Sequence, residues 1–213
     1  MTVTREFQLV FAAVAALAAC GTPTTGPDDD GNGTLPDNFS ISFEQRDASG
    51  WFGGDDRPGN QRTVGIAQSV LVTDAIELRS FSFYFTSPFN SAQNGGAGHA
   101  VTVILNVRSA NGTILKTASA NVASSFTGDW VTWTGLDLDV AANTTLIFNA
   151  YVQGAFAANQ YSSGYGAHQA AGYAGGSHWI KDGTSDADLE SWAGWGDHSW
   201  DANFRLSGRR AGT

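Results

Sequence analysis

The sequence predicts an all-β fold, an antiparallel sandwich of eight or nine short strands, and three observations carry that expectation. From Phe39 onward apolar residues recur with a period of two rather than 3.6, the spacing that puts every second side chain on one face of a strand. Breaks rich in Gly, Asn and Ser separate these stretches, and the 26 glycines fall mainly in them. No window carries the i, i+3, i+4 pattern of a long amphipathic helix. Short antiparallel strands in that number, joined by glycine-rich loops, point to a jelly roll.

The globular part does not begin at the N-terminus. Residues 9–19 are all apolar and follow one base, Arg5; a run of about eleven residues is too short to cross a bilayer as a helix and reads as the core of a secretory signal peptide. It closes on Leu17-Ala18-Ala19-Cys20-Gly21, where small side chains let the chain lie extended in a peptidase and the thiol of the only cysteine follows. These five residues resemble the lipobox of bacterial lipoproteins. The resemblance implies removal of residues 1–19, diacylation of Cys20 as a membrane anchor, and a place in the bacterial cell envelope. Gly21 is not the aspartate that retains lipoproteins at the inner membrane in some bacteria, which favours the outer membrane or the cell surface. Residues 20–38 then form the lipidated cysteine and an acidic tether of Gly, Pro, Thr and Asp with one Leu. Such a composition buries too little apolar area to offset its ordering entropy. The sandwich domain spans residues 39–213.

Within that domain the alternation marks the strands in turn. Phe39, Ile41 and Phe43 share a face, as do Phe81, Phe83 and Phe85, then Val101, Val103, Leu105 and Val107, then Leu146, Phe148, Ala150 and Val152, then Trp200, Ala202, Phe204 and Leu206. Further strands are expected over 63–72, 130–134 and 173–181. Asn111-Gly112 between apolar stretches is a hairpin signal, because both residues tolerate the positive φ that a tight turn needs.

Gln68, Trp130-Val131-Thr132-Trp133, Leu136 to Phe148 with Asn143-Thr144-Thr145, Tyr173-Ala174-Gly175-Gly176 and the closing Trp200 to Leu206 occur in an order that resembles jelly-roll modules of bacterial surface and anchored proteins. The resemblance covers residues 68–206. It implies fold and setting together with a kinship to carbohydrate-binding sandwiches, and it carries over no catalytic residue.

Charge and cysteine usage exclude several functions. Removing residues 1–19 takes away one base, Arg5, and one acid, Glu6, so the chain keeps its net charge of −9. That balance argues against nucleic acid, whose phosphates require a basic footprint. With Cys20 committed to the anchor there is no thiol nucleophile, disulfide or thiolate metal site.

The residues least needed by the fold lie between His168 and Asp201, which holds four of the seven tryptophans and three of the four histidines. Trp200 is expected in the core, in phase with Phe204 and Leu206, whereas the parity of Trp179 leaves it undecided. Trp192 and Trp195 sit in Ser191-Trp192-Ala193-Gly194-Trp195-Gly196-Asp197, whose glycines and lack of alternation indicate a loop. An exposed indole beside polar groups stacks on the apolar C–H face of a sugar, so Trp179, Trp192, Trp195, Asp197 and His178 form the candidate glycan-binding set. A core role for every tryptophan is the competing reading. Asp186, Asp188 and Glu190 alternate, so in an extended segment their carboxylates face one way, a candidate calcium site; no other cofactor is expected. His178 and His198 lack the short spacing of a preformed metal site and would share an ion only if the fold paired them. No serine-hydrolase elbow, phosphate loop, dinucleotide pattern or zinc-protease motif occurs.

The sequence therefore reads as a cell-envelope lipoprotein with a non-catalytic, carbohydrate-binding-like sandwich. A polysaccharide-cleaving enzyme, with Asp197 and Asp201 the nearest carboxylate pair, and a structural envelope protein without a small ligand are the alternatives.

Overall fold

The computed structural model describes residues 38–54, 62–90, 97–155, 161–169 and 172–210; the signal peptide, Cys20 and the tether up to residue 37 lie outside the described residues. Eight antiparallel strands make the framework. One sheet has the order β1 (Asn38–Phe43), β13 (Phe204–Arg210), β4 (Ile76–Tyr84), β7 (Trp130–Val140). The other is built on β3 (Thr63–Val72), β8 (Thr144–Val152), β5 (Val101–Ser109) and β6 (Ile114–Val122). Counted along the chain, these eight alternate between the sheets as first, eighth, third and sixth against second, seventh, fourth and fifth, which is the jelly-roll order.

Five further strands extend the second sheet beyond β3, so the described residues form 13 strands where eight or nine were expected. They are β2 (Ala48–Gly54), β9 (Ser162–His168), β10 (His178–Gly183), β11 (Gly196–His198) and β12 (Asp201–Ala202). Their sequences hide them, because β11 and β12 are three and two residues long and β2 and β9 are interrupted by glycine. The expected strand over 173–181 begins only at His178. The turn before it still docks on β3, with the Ser69 and Leu71 amides donating to the Ser177 and Gly175 carbonyls at 2.8 and 2.9 Å.

The core fills the space between the sheets with the residues that alternation selected. Phe81 of the first sheet stacks on Phe148 of the second with ring centres 3.9 Å apart, and Trp133 crosses the sandwich to donate its indole N–H to the Val103 carbonyl at 3.0 Å. Two strands change phase along their length. Ile76 and Leu78 are buried on even positions of β4, Phe81 and Phe83 on odd ones, because the pairing with β7 shifts between Leu78 and Ser80. Here residues 135–137 of β7 face the single residue Arg79; Gly135 and Asp137 take positive φ values of 67° and 43°, and Arg79 donates to Asp137 at 2.8 Å. The two extra residues of β7 let the pairing change phase so that both halves of each strand present apolar side chains inward.

β5 and β8 depart from one-sided burial. Nearly every residue of both is buried, because the segment that follows β10 lies over the outer face of the second sheet. Leu189 packs there with Ile104 and Tyr151 as a second, small apolar cluster.

Candidate functional site

The tryptophan-rich segment is held by two buried cations. β10 pairs with β3 on one side and β11 on the other, which puts Trp179 and Lys181 on the outer face with Ala67 and Gly65, and His178 on the inner face with Gln68. A single helical turn, α1 (Asp186–Glu190), follows, capped by the Ser185 hydroxyl, which accepts from the Asp188 amide at 3.1 Å. Lys181, only 7% exposed, donates to the Asp188, Ser191 and Ala193 carbonyls at 2.5, 3.1 and 2.7 Å and pairs with the Asp188 carboxylate at 3.0 Å. Arg108 of β5 donates to Asn149 at 2.5 Å, to the Gly112 carbonyl at 2.7 Å and to the Glu190 carbonyl. Apart from that of Gly112, these carbonyls lie in or just past a helix too short to bond them internally, and the cations take that place.

On this frame the three indoles meet. Trp192 stacks on Trp195 with ring centres 5.4 Å apart and planes 20° from parallel, and Trp179 meets Trp192 edge-on at 5.6 Å. The Arg108 guanidinium lies 5.6 Å from the Trp192 ring, and the Trp195 N–H donates to the Ser191 carbonyl at 3.0 Å. All three rings are half-buried. Trp192 and Trp195 do lie outside the strands, but both use a glycine as a seat: a Cβ on Gly112 would fall 2.2 Å from the Trp192 ring, and one on Gly65 would fall 2.9 Å from the Trp195 ring. Asp197, on β11 directly opposite Trp179, is exposed beside them.

Several expected site residues are elsewhere or otherwise engaged. His178 is fully buried on the inner face, so it cannot share a ligand with indoles on the outer face. The calcium set fails because the segment is helical where an extended chain was needed. Asp186 accepts from the Gly154 amide at 3.1 Å, Asp188 pairs with Lys181, and Glu190 accepts from the Tyr151 hydroxyl at 2.7 Å. Among the described residues no group of three His, Cys, Asp or Glu could hold a metal ion. Asp201 is 2% exposed and accepts from Gln68 and the Gly172 and Tyr173 amides, so as a buried structural acceptor it does not pair with Asp197 in a cleft. Trp200 packs against the core half-buried, outside any strand.

Alternation gave no sign of a second aromatic cluster. On the outer face of the first sheet Arg46 stacks on Tyr84 at 3.8 Å and Arg205 on Trp130 at 4.1 Å, while Glu44 accepts a two-point ion pair from Arg205 at 2.8 and 3.0 Å. That pair holds the Glu44 carboxyl below the usual carboxylate range. Trp130 also borders a cleft of about 280 Å³ between β6 and β7, lined by Asn121, Ser125, Phe126 and Thr132. The cleft is remote in sequence from the tryptophan-rich segment, and its lining residues read as ordinary strand and turn positions.

The fold and these clusters define a jelly-roll sandwich with an aromatic cover on one sheet. No protein-family model and no curated protein matches the chain. Among solved structures one similar chain is a clostridial cysteine protease, Cwp84, after propeptide cleavage, with a TM-score of 0.47 and 11% identity. The likeness covers 82% of this chain and 41% of that protein, so this chain spans about two fifths of its length.

Proposed function

We propose that the protein is a lipid-anchored, cell-envelope binding module, tethered through Cys20, whose ligand is a glycan stacked on the Trp179, Trp192 and Trp195 rings. The observation that carries this reading is the trio itself: three half-buried indoles, Trp179 and Trp195 each in contact with Trp192, fixed by Arg108 and Lys181 on a strand frame, with the exposed Asp197 carboxylate beside them. Preorganised aromatic faces lose little entropy on binding, and carboxylate and amide groups at their rim take hydroxyls. The glycine seats of Trp192 and Trp195 favour a second reading, in which the trio is a cover that shields Ile104, Tyr151 and Leu189 and binds nothing.

A glycan array probed with the detergent-solubilised full-length chain separates the two. On the binding reading Trp192→Ala lowers affinity for the glycan that the array identifies, and it lowers the melting midpoint less than Trp133→Ala, a core change that costs about 3 to 5 kcal/mol. Trp130→Ala, at the cleft, leaves that affinity unchanged. Loss of affinity in Trp130→Ala but not in Trp192→Ala moves the ligand to the cleft. A Trp192→Ala variant that melts as early as Trp133→Ala, with no glycan bound by the wild type, establishes the cover.

A further inference from the structure

The buried charged groups of this fold and Gln68 have partners: Gln68 and Asp201 bond each other, and Arg108 and Lys181 bond loop carbonyls. At the inner face of β10 that pattern breaks. Among the described residues ten buried side-chain nitrogen or oxygen atoms have no hydrogen-bond partner, and four of them belong to three neighbouring rings: both ring nitrogens of His178, Nδ1 of His198 and the Tyr165 hydroxyl. His178 and His198 are directly opposite in the β10–β11 register, so their side chains leave the sheet on the same face. Their ring centres are 5.7 Å apart at an interplanar angle of 81°, and Tyr165 lies 5.5 Å from His178 on its other flank. Orphaned groups concentrated in this way point to a bound ion or ordered water between them.

We propose that His178 and His198 bind a divalent first-row transition metal ion, with copper(II) the tightest bound. One ion held by a nitrogen of each ring at 2.0 to 2.1 Å keeps the ring centres within about 6.4 Å of each other. The observed spacing satisfies that limit. Two acids close by in sequence do not contribute: Asp197 projects from the opposite face, and both Asp201 oxygens are taken by Gln68 and two amides. A two-imidazole site open to water on the half-exposed His198 side suits copper(II), which heads the stability order for nitrogen donors; a structural zinc ion takes four protein ligands.

The test uses the full-length chain in detergent, stripped with EDTA and titrated with copper(II) chloride. The expected result is one copper per chain, an electron paramagnetic resonance spectrum with hyperfine coupling to two imidazole nitrogens, and a melting midpoint that rises with copper and falls back with chelator. His198→Ala, at the half-exposed position, leaves one coupled nitrogen and weakens binding by roughly tenfold or more. His99→Ala and His168→Ala leave spectrum and affinity unchanged. Absence of saturable binding below about 100 µM overturns the proposal and assigns the orphaned nitrogens to buried water. A His198→Ala spectrum identical to wild type overturns it as well, because the copper then sits elsewhere.

Discussion

At the scale of single residues, the protein is most exposed at its buried cations. Lys181 replaces hydration with three carbonyls and one carboxylate, so its removal orphans the loop rather than merely deleting a charge. Lys181→Met is therefore expected to cost on the order of 3 kcal/mol, measured by thermal or denaturant unfolding, whereas a change within a few tenths of wild type would mean that water replaces the ammonium group. Its partner gives a pH dependence. Hydrogen bonds from Lys181 and then from the Thr184 amide hold the Asp188 carboxyl below its ordinary value of 3.8, so the folded chain binds that proton less readily than the unfolded chain. The contribution is fully present above that value and is lost as pH falls through the lower folded-state value. Melts of wild type and Asp188→Asn should differ at neutral pH and converge as pH drops below about 3.8. A difference that stays constant through acid would remove the carboxylate as its source.

At the scale of elements, the framework strands carry stability and the inserted ones carry the candidate sites. Phe83 and Leu105 lie mid-strand in the sandwich core at 1% and 0% exposure, so truncating either to Ala is expected to cost about 2 to 5 kcal/mol. Ser119→Ala, on the exposed face of β6, is the control for these melts and should shift the midpoint little. Equal shifts in core and control variants would show that the register of β4 or β5 is wrong. The bulge at Gly135 and Asp137 explains why one strand can place Ile76 and Phe81 on the same face, although they are five positions apart. The connection between β8 and β13 adds four of the five extra strands together with α1, and it brings the tryptophans onto one sheet.

At the scale of the whole molecule, a net charge of −9 and a single cysteine set the protein's relations with its surroundings. If Cys20 carries the lipid, Cys20→Ser abolishes anchoring outright, because no other thiol exists to accept it. Detergent phase partitioning measures this. The wild type should enter the detergent phase and the serine variant should remain an uncleaved or mislocalised precursor, while equal partitioning of both would dismiss the lipobox reading.

The sandwich and most of its core follow from the local pattern of apolar and polar residues. Alternation is a local property, so Phe39, Phe83, Leu105, Phe148 and Leu206 announce their burial without knowledge of their partners, and the Asn111-Gly112 turn announces its hairpin in the same way. What lies against the outer face of a strand is not local. Packing between distant segments covers β5 and β8 on both sides, makes Arg108 a loop clamp, and puts Asp186, Asp188 and Glu190 in a helical turn. It also separated two neighbours that the sequence had grouped, because consecutive residues of a strand face opposite ways: Trp179 went to the outer face with the other indoles, and His178 to the inner face opposite His198, twenty residues away along the chain and one strand away in space.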